Sequence, residues 1–287
     1  MLDSQKLIIT APAKINLYLK VLDKRPDGFH NLDSVFLALD FGDTLHFEPV
    51  SKRGFSEISM EWSNNIEEER FPAEKNLIFK ALSLFKEKTG FSGGLKIKAE
   101  KRIPAGSGLG GGSSDAAAAL LALNKIAGLP LSRAELLQLA ASLGSDVPFF
   151  IYRIPAAKIS GRGEHISPID APFENFVLVY PGFKSDTAAS FKLLDNYRKA
   201  AASSSDALRN DFLECANEPD KSVYYRVISA LKELGAYFAG LSGTGSVCFG
   251  VFKEKAEAKA AVKTLREDWE FIECCGIFNG SHCEHQI

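Results

Sequence analysis

Polar and apolar residues alternate without a break along residues 14–21. Ile15, Leu17, Leu19 and Val21 share one face, and Lys14, Asn16, Tyr18 and Lys20 share the other. This period of two is the mark of a strand with one buried side. Leu7, Ile8 and Ile9 precede it as an apolar strand segment, and Arg25-Pro26-Asp27-Gly28 carries a turn. Further strands are predicted over 34–39, 44–49 and 95–100. The spacing becomes helical over 76–88, up to Gly90, and again over 115–127, up to Gly128. Ser132 with Glu135 three residues on forms a capping box that opens another helix, ending near Gly144.

In the second half, strands are predicted over 176–180, 246–252 and 271–275, and helices over 223–234 and 254–266. The run Ala200-Ala201-Ala202-Ser203-Ser204-Ser205 reads as a loop. No internal repeat is present. Strands and helices mix without strict βαβ alternation, which predicts the α+β class rather than a doubly wound sheet.

Composition narrows the functional classes. With 287 residues, 46% of them hydrophobic and 24% charged, the chain has material for a substantial core. A formal net charge of −2 gives no overall pull toward nucleic acid or anionic lipid. Five cysteines, odd in number and mostly late in the chain, do not form a disulfide framework. Residues 1–6 lack the basic-then-apolar pattern of a signal peptide, and no apolar run reaches the length of a membrane span. The expectation is a soluble, reduced, cytoplasmic protein.

The candidate chemistry centres on Pro104-Ala105-Gly106-Ser107-Gly108-Leu109-Gly110-Gly111-Gly112-Ser113-Ser114, between a predicted strand and a predicted helix. Glycines let successive backbone N–H groups converge on an anion. The helix start adds unpaired donors and the positive end of its dipole. Ser113 and Ser114 can cap the helix or reach a phosphate oxygen. No G-x-x-x-x-G-K-[ST] is present, so this is not a Walker A loop. Gly106, Gly108 and Gly111 fit G-x-G-x-x-G, but the acidic residue a dinucleotide fold needs about twenty positions on would fall between two helices. Asp40-Phe41-Gly42 precedes the glycine loop and no H-R-D exists, so it reads as a chance turn.

Three motifs resemble the GHMP kinase superfamily: Pro12-Ala13-Lys14-Ile15-Asn16-Leu17, the glycine loop with its Asp-Ala-Ala continuation, and Leu241-Ser242-Gly243-Thr244-Gly245-Ser246. Within it, four segments resemble the branch acting on 4-diphosphocytidyl-2-C-methyl-D-erythritol. These are Pro26-Asp27-Gly28-Phe29-His30-Asn31-Leu32, Leu39-Asp40-Phe41-Gly42-Asp43, Gly110-Gly111-Gly112-Ser113-Ser114 and Gly144-Ser145-Asp146-Val147-Pro148-Phe149. The resemblance spans roughly residues 10 to 250 and implies a two-lobed GHMP kinase fold. Its ribosomal protein S5 domain 2-like N-terminal lobe is expected over 1–155, and its ferredoxin-like C-terminal lobe over 156–287.

The resemblance also implies ATP and Mg2+ as cofactors and transfer of a phosphoryl group to the 2-hydroxyl of that small molecule. It implies no nucleic acid or membrane partner, and a monomer or weak homodimer. Asp146 matches the family's catalytic aspartate and Lys14 its catalytic lysine. By residue type alone Asp146 would be a turn or N-cap residue and Lys14 a solvated strand lysine. Asn16, Phe29, His30, Thr187 and Phe191 match substrate positions, with Phe29 standing where the family usually has tyrosine. Core packing is the contrasting reading for Phe29 and Phe191. Asn76 and Lys101 match positions lining the ATP pocket. With Lys96, Lys98 and Arg102, Lys101 is also readable as part of a solvated edge strand. Gly243 and Thr244 are expected near the transferred phosphate.

Asp115 is expected to be a first-turn helix charge pointing away from the phosphates. Cys274, Cys275, His282, Cys283 and His285 are metal-capable but lack C-x-x-C spacing, which predicts a loose terminal segment. Two other functions compete. One is a GHMP kinase for another small alcohol, against which residues 27–30 speak. The other is a non-catalytic nucleotide- or nucleic-acid-binding module on the same fold, against which Lys14, Asp146 and the near-neutral charge speak.

Overall fold

A computed structural model of the chain describes residues 6–63, 75–198, 208–269 and 271–280. The first half contains strands β1 (Leu7–Lys24), β2 (His30–Val50) and β3 (Ser56–Trp62), helix α1 (Leu77–Thr89), strand β4 (Gly94–Lys101) and helices α2 (Gly111–Ile126), α3 (Arg133–Leu143) and α4 (Val147–Tyr152). Strands β5 (Ala156–Gly161), β6 (His165–Pro168) and β7 (Asn175–Tyr180) follow. Then come helices α5 (Thr187–Arg198), α6 (Asp211–Cys215) and α7 (Asp220–Glu233), strands β8 (Phe238–Leu241) and β9 (Cys248–Phe252), helix α8 (Lys255–Leu265) and strand β10 (Phe271–Cys275).

Among the described residues these strands form two sheets. The first runs β3-β4-β2-β5-β6 with β1 also paired to β2, and the second runs β10-β7-β9-β8. The layers follow from which faces are apolar. One core joins the first sheet to α1–α4 through Phe36, Phe47, Phe85, Ile97, Leu120 and Phe149. A second core joins the two sheets, with Ile15, Leu17 and Leu37 meeting Phe176, Leu178 and Phe249. A third lies between the second sheet and α7 and α8. This is the α+β, two-lobed arrangement expected from the chain.

The two strands predicted over 34–39 and 44–49 are one strand, β2. The Asp40-Phe41-Gly42 segment lies inside it and is not a turn. Gly42 is needed there because β1 crosses so closely that a Cβ would collide with the carbonyl oxygen of Ala11. The hairpin of β5 and β6 pairs with β2, so the first sheet continues past residue 155 and the second begins at Asn175.

Lys96 and Lys98 do not sit on a sheet edge. β3 pairs in parallel on the outer side of β4, and their ammonium groups meet Glu57, Glu61 and Glu100. Cys275 packs between the sheets and Cys274 on the opposite face, as adjacent strand residues must. The loop expected over 200–205 and the tail residues His282, Cys283 and His285 lie outside the described residues. Among the described residues no His/Cys/Asp/Glu cluster could hold a metal, and no helix is long and apolar enough to cross a membrane.

Candidate active site

A cleft of about 1190 Å3 opens along the first sheet and is closed by the two glycine loops and α5. That volume exceeds the usual range for one small ligand, and its two ends are chemically different.

At the centre, the alternation of β1 turns Lys14 and Asn16 away from the core that takes Ile15 and Leu17. Lys14 Nζ donates to Asn16 Oδ1 at 2.6 Å and lies 3.4 Å from Asp146 Oδ2. It also sits 4.7 Å from the centroid of the Phe36 ring. Asn16 is fixed in turn, its Nδ2 donating to Ser34 Oγ at 3.0 Å and its backbone N–H to Ser242 Oγ at 3.3 Å. Asp146 occupies the N-cap position of α4 but makes no capping bond. Its carboxylate is therefore not engaged by the helix and faces Lys14, with 32% of the side chain exposed against 4% for Lys14.

The first glycine loop wraps over this pair. Lys14 N–H donates to Leu109 O at 2.9 Å. Gly110, at φ +73°, is the N-cap of α2 and supplies no side-chain cap. Ser114 N–H is bonded back to Gly110 O, so the earlier N–H groups of the helix start remain available to an anion. Gly108 is needed for a close approach: a Cβ would collide with the carbonyl oxygen of Ser242. The loops are tied at that point, since Ser242 Oγ donates to Gly108 O at 3.1 Å and Val247 N–H to Ser107 O at 3.0 Å. Gly106 O accepts from Ser185 N–H at 2.9 Å, which brings in the segment before α5.

Beside the loop, Asn76 caps α1 by accepting from Ile78 N–H at 2.8 Å, and it lines the cleft. Lys101 is buried, not the exposed end of a strand. Its ammonium is held between the carboxylates of Asp43 and Asp115, with the Trp62 ring 5.9 Å away. Burial opposes the charge on Lys101, but Asp115 and Asp43 outweigh it and raise its pKa above the ordinary lysine value.

Asp115 therefore does not point outward. Residues 114–120 of α2 are all buried, so the helix has no solvated face there to offer it. Burial pushes its carboxyl up to about 7, against the pull of Lys101 and with the push of Asp43. Asp43 was not foreseen as a site residue. It is fully buried and accepts the N–H groups of Arg102 and, at 2.9 Å, Ile103, just ahead of the glycine loop. No sequence signal sets it apart, since β2 also carries Asp33, Asp40 and Glu48.

The far end is aromatic. His30 is buried, and Phe191 stacks on it with ring centroids 5.4 Å apart and planes 18° from parallel. Phe191 is braced edge-on by Phe212 at 4.9 Å. Phe29 also lines the cleft, half exposed, with the Arg162 guanidinium 5.1 Å from its ring centroid. Asp195, one turn after Phe191 on α5, bonds His30 Nε2 at 2.7 Å and Lys24 Nζ at 2.6 Å. The Lys24 hydrogen bond, aided by His30, holds the Asp195 carboxyl below the usual carboxylate range. Asp195 too was unforeseen; its signal is the i, i+4 spacing from Phe191. Thr187 opens α5, its Oγ1 3.3 Å from Thr244 Oγ1. Gly243 precedes Thr244 in the second glycine loop, its carbonyl held by Asn210 Nδ2 at 2.9 Å. The predicted site residues lie around this cleft except two: Leu109 packs into the core between the sheets, and the Ser114 side chain is buried within α2 rather than facing the cleft.

Comparison with known proteins bears on this arrangement. The profile of the GHMP kinases N terminal domain matches residues 76–153, and that of the GHMP kinases C terminal domain matches residues 191–270. The 4-diphosphocytidyl-2-C-methyl-D-erythritol kinase of Burkholderia thailandensis is 38% identical over 276 residues, covering 91% of this chain and 90% of its own length. The enzyme of the same name from Alkalilimnicola ehrlichii is 38% identical over 93% of this chain and 90% of its own. Among solved structures, a 4-(cytidine 5'-diphospho)-2C-methyl-D-erythritol kinase superposes with a TM-score of 0.78 at 31% identity, covering 95% of this chain and all of that one. Homoserine kinase from Cytophaga hutchinsonii, at 18% identity and a TM-score of 0.70, shares the fold. With two whole-length relatives of one name, both GHMP domains matched and the same two-lobed architecture, this chain belongs to the 4-diphosphocytidyl-2-C-methyl-D-erythritol kinase family of GHMP kinases.

Proposed function

We propose that the protein transfers the γ-phosphoryl group of ATP to the 2-hydroxyl of 4-diphosphocytidyl-2-C-methyl-D-erythritol, a step of non-mevalonate isoprenoid synthesis, in the cytoplasm. The observation that carries this is the Lys14–Asp146 pair, 3.4 Å apart, between an uncapped helix start and an aromatic pocket. ATP is taken by the glycine loop, residues 104–114, with Asn76 and Lys101 beside it. The cytidine end is taken by Phe29, His30 and Phe191, with Thr187, Gly243 and Thr244 toward the diphosphate. The hydroxyl then lies over Asn16 and Asp146.

Transfer is direct and in line. The hydroxyl oxygen forms a bond to the γ-phosphorus while the bond to the β,γ-bridging oxygen breaks and ADP leaves. Asp146 accepts the hydroxyl proton. Lys14 offsets charge on the transferring group. The described residues form no metal cluster of their own. Mg2+ would enter with the ATP phosphates and neutralise part of their charge.

The test is a coupled ADP-release assay with ATP, Mg2+ and, in turn, this alcohol, mevalonate and homoserine. Turnover only with the cytidyl substrate supports the reading. Turnover with another alcohol moves the chain to a different GHMP activity, and ATP binding without turnover on any substrate favours a non-catalytic module.

A further inference from the structure

Beneath the glycine loop, two carboxylates share one ammonium. The side chains of Asp43, Asp115 and Lys101 are 0%, 5% and 7% exposed, and both acids contact Lys101 Nζ. As three ions they would leave one uncompensated negative charge in the interior, behind a loop built to receive anions. The hydrogen bonds decide where a proton removes it. Asp43 is provided for as an anion, with Oδ1 accepting the N–H groups of Arg102 and Ile103 and Oδ2 accepting Lys101. Asp115 has Lys101 at Oδ2, but its Oδ1 is sealed from solvent and has no partner among the described residues. Negative charge on Asp115 would leave that buried oxygen with no donor, so the charge is cheaper on Asp43 and the proton belongs to Asp115.

We propose that Asp115 is held as a neutral acid and that its proton belongs to the nucleotide site, keeping the Asp43–Lys101–Asp115 cluster without net charge so that the loop above accepts a polyphosphate. The second clause rests on residues 104–114 being the ATP loop. Burial raises the Asp115 carboxyl in the direction this requires. The ionisable groups facing it are Asp43 from β2 and Lys101 from β4. The other elements packed on α2 bring it no charged contact among the described residues. Asp115 is a positioning residue, acting on ATP through the charge it withholds and through Lys101.

Placing a polyphosphate nearby makes ionisation of Asp115 harder still, so at alkaline pH ATP binding draws a proton onto it. The test is calorimetric titration of the whole enzyme with Mg2+·ATP at about pH 8, roughly a unit above the usual neutral point, in buffers of different ionisation heat. Wild type is expected to take up a fraction of a proton more than Asp115→Asn. Its affinity is expected to fall several-fold from about pH 7 to about pH 9 while that of Asp115→Asn stays flat. The proton equilibria of ATP are common to both proteins and cancel. Equal uptake overturns the role in binding.

An infrared band of a protonated carboxylic acid, present in wild type near neutrality and missing in Asp115→Asn, is expected without any ligand; its absence from wild type overturns the proton itself. If neither protein binds ATP, the ATP reading of the loop falls, and the infrared band still decides the proton. Should Asp115→Asn fail to fold, carbon NMR of aspartate-labelled wild type replaces it. One carboxyl titrating well above the others supports the proposal, and none doing so overturns it.

Discussion

Two lysines in this cleft each lie beside aspartate, and burial separates their work. Lys14 meets Asp146 at 3.4 Å, and that carboxylate is one-third exposed. Lys101 meets Asp43 and Asp115, and no side chain of the three is more than 7% exposed. The central pair has one open side, so its carboxylate can be reached by a substrate hydroxyl and can exchange a proton with it. The triad beside the loop is almost wholly buried, with backbone N–H groups taking the place of solvent around Asp43. Ions enclosed in that way cannot trade partners, because breaking one contact leaves an unpaired buried charge. Under the proposed mechanism, the same two residue types serve as reactants in one place and as a fixed foundation in the other.

The largest test of this contrast is Asp146→Asn. Loss of the accepting carboxylate is expected to lower kcat by about 10⁴-fold, the upper range for a positioned base, with ATP affinity changed little. Single-turnover rates and ATP titration check both halves. Robust turnover would make Asp146 a positioning group and erase the distinction. Next in size is Lys101→Met, expected to cost about 3–5 kcal/mol of stability by leaving two buried acids with no cation. Urea unfolding measures it, and a normally stable Lys101→Met protein would show that the buried triad is not a foundation. Lys14→Met follows, with kcat down about 100-fold, comparable to removing one preorganised donor to a transition state. Its unfolding midpoint should move far less than that of Lys101→Met.

How much of this was readable in the sequence follows the same division. Lys14 and Asn16 stood out because period-two alternation places them together on a polar face, and their 2.6 Å hydrogen bond follows from that pattern. The helix starts and stops at Asn76, Gly90 and Ser132 were likewise local chemistry. The buried triad was not local. Asp43 and Lys101 are 58 positions apart and meet only because β2 and β4 pair. Nothing in Asp40-Phe41-Gly42-Asp43 announces that partner. Asp115 misled because a first-turn acid usually faces solvent; the unbroken run of small and apolar residues after it was the overlooked sign of a helix with no free face. The place of the β5–β6 hairpin was not local either, since it joins the first sheet by pairing with β2, more than a hundred residues earlier. The role of Asp146 came from family resemblance, since by type and position it was an ordinary N-cap.

Asp115→Asn sharpens the contrast through stability. The folded protein holds the Asp115 proton more tightly than the unfolded chain does, since its carboxyl is raised to about 7. The stabilisation linked to that proton is therefore full below the ordinary carboxylate range and is lost as pH rises toward about 7. Asn has no such proton to lose. Relative to wild type, Asp115→Asn is expected to gain on the order of 2 kcal/mol across that window. Urea midpoints of both proteins at several pH values measure it. Parallel pH profiles would mean that Asp115 is ionised in the folded state.

The smallest expected effect lies at the aromatic end, where burial is intermediate. His30 and Asp195 are 2.7 Å apart with side chains 7% and 29% exposed, and Lys24 holds the other oxygen of Asp195. An ionised carboxylate only accepts, so the proton in this bond lies on His30 Nε2, and the ring is fixed flat against Phe191. Asp195→Ala releases the ring without leaving a wholly buried charge, because Lys24 is more than half exposed. The expected outcome is a rise of about tenfold in KM for the cytidyl substrate, the worth of one charge-assisted hydrogen bond in a partly wet site. KM for ATP and kcat should stay near wild type, since neither the glycine loop nor the Lys14–Asp146 pair touches Asp195. Steady-state kinetics with each substrate varied in turn separates these effects. A fall in kcat with an unchanged KM for the cytidyl substrate would place Asp195 with the reacting groups and collapse the division between a reactive centre and the fixed groups on either side of it.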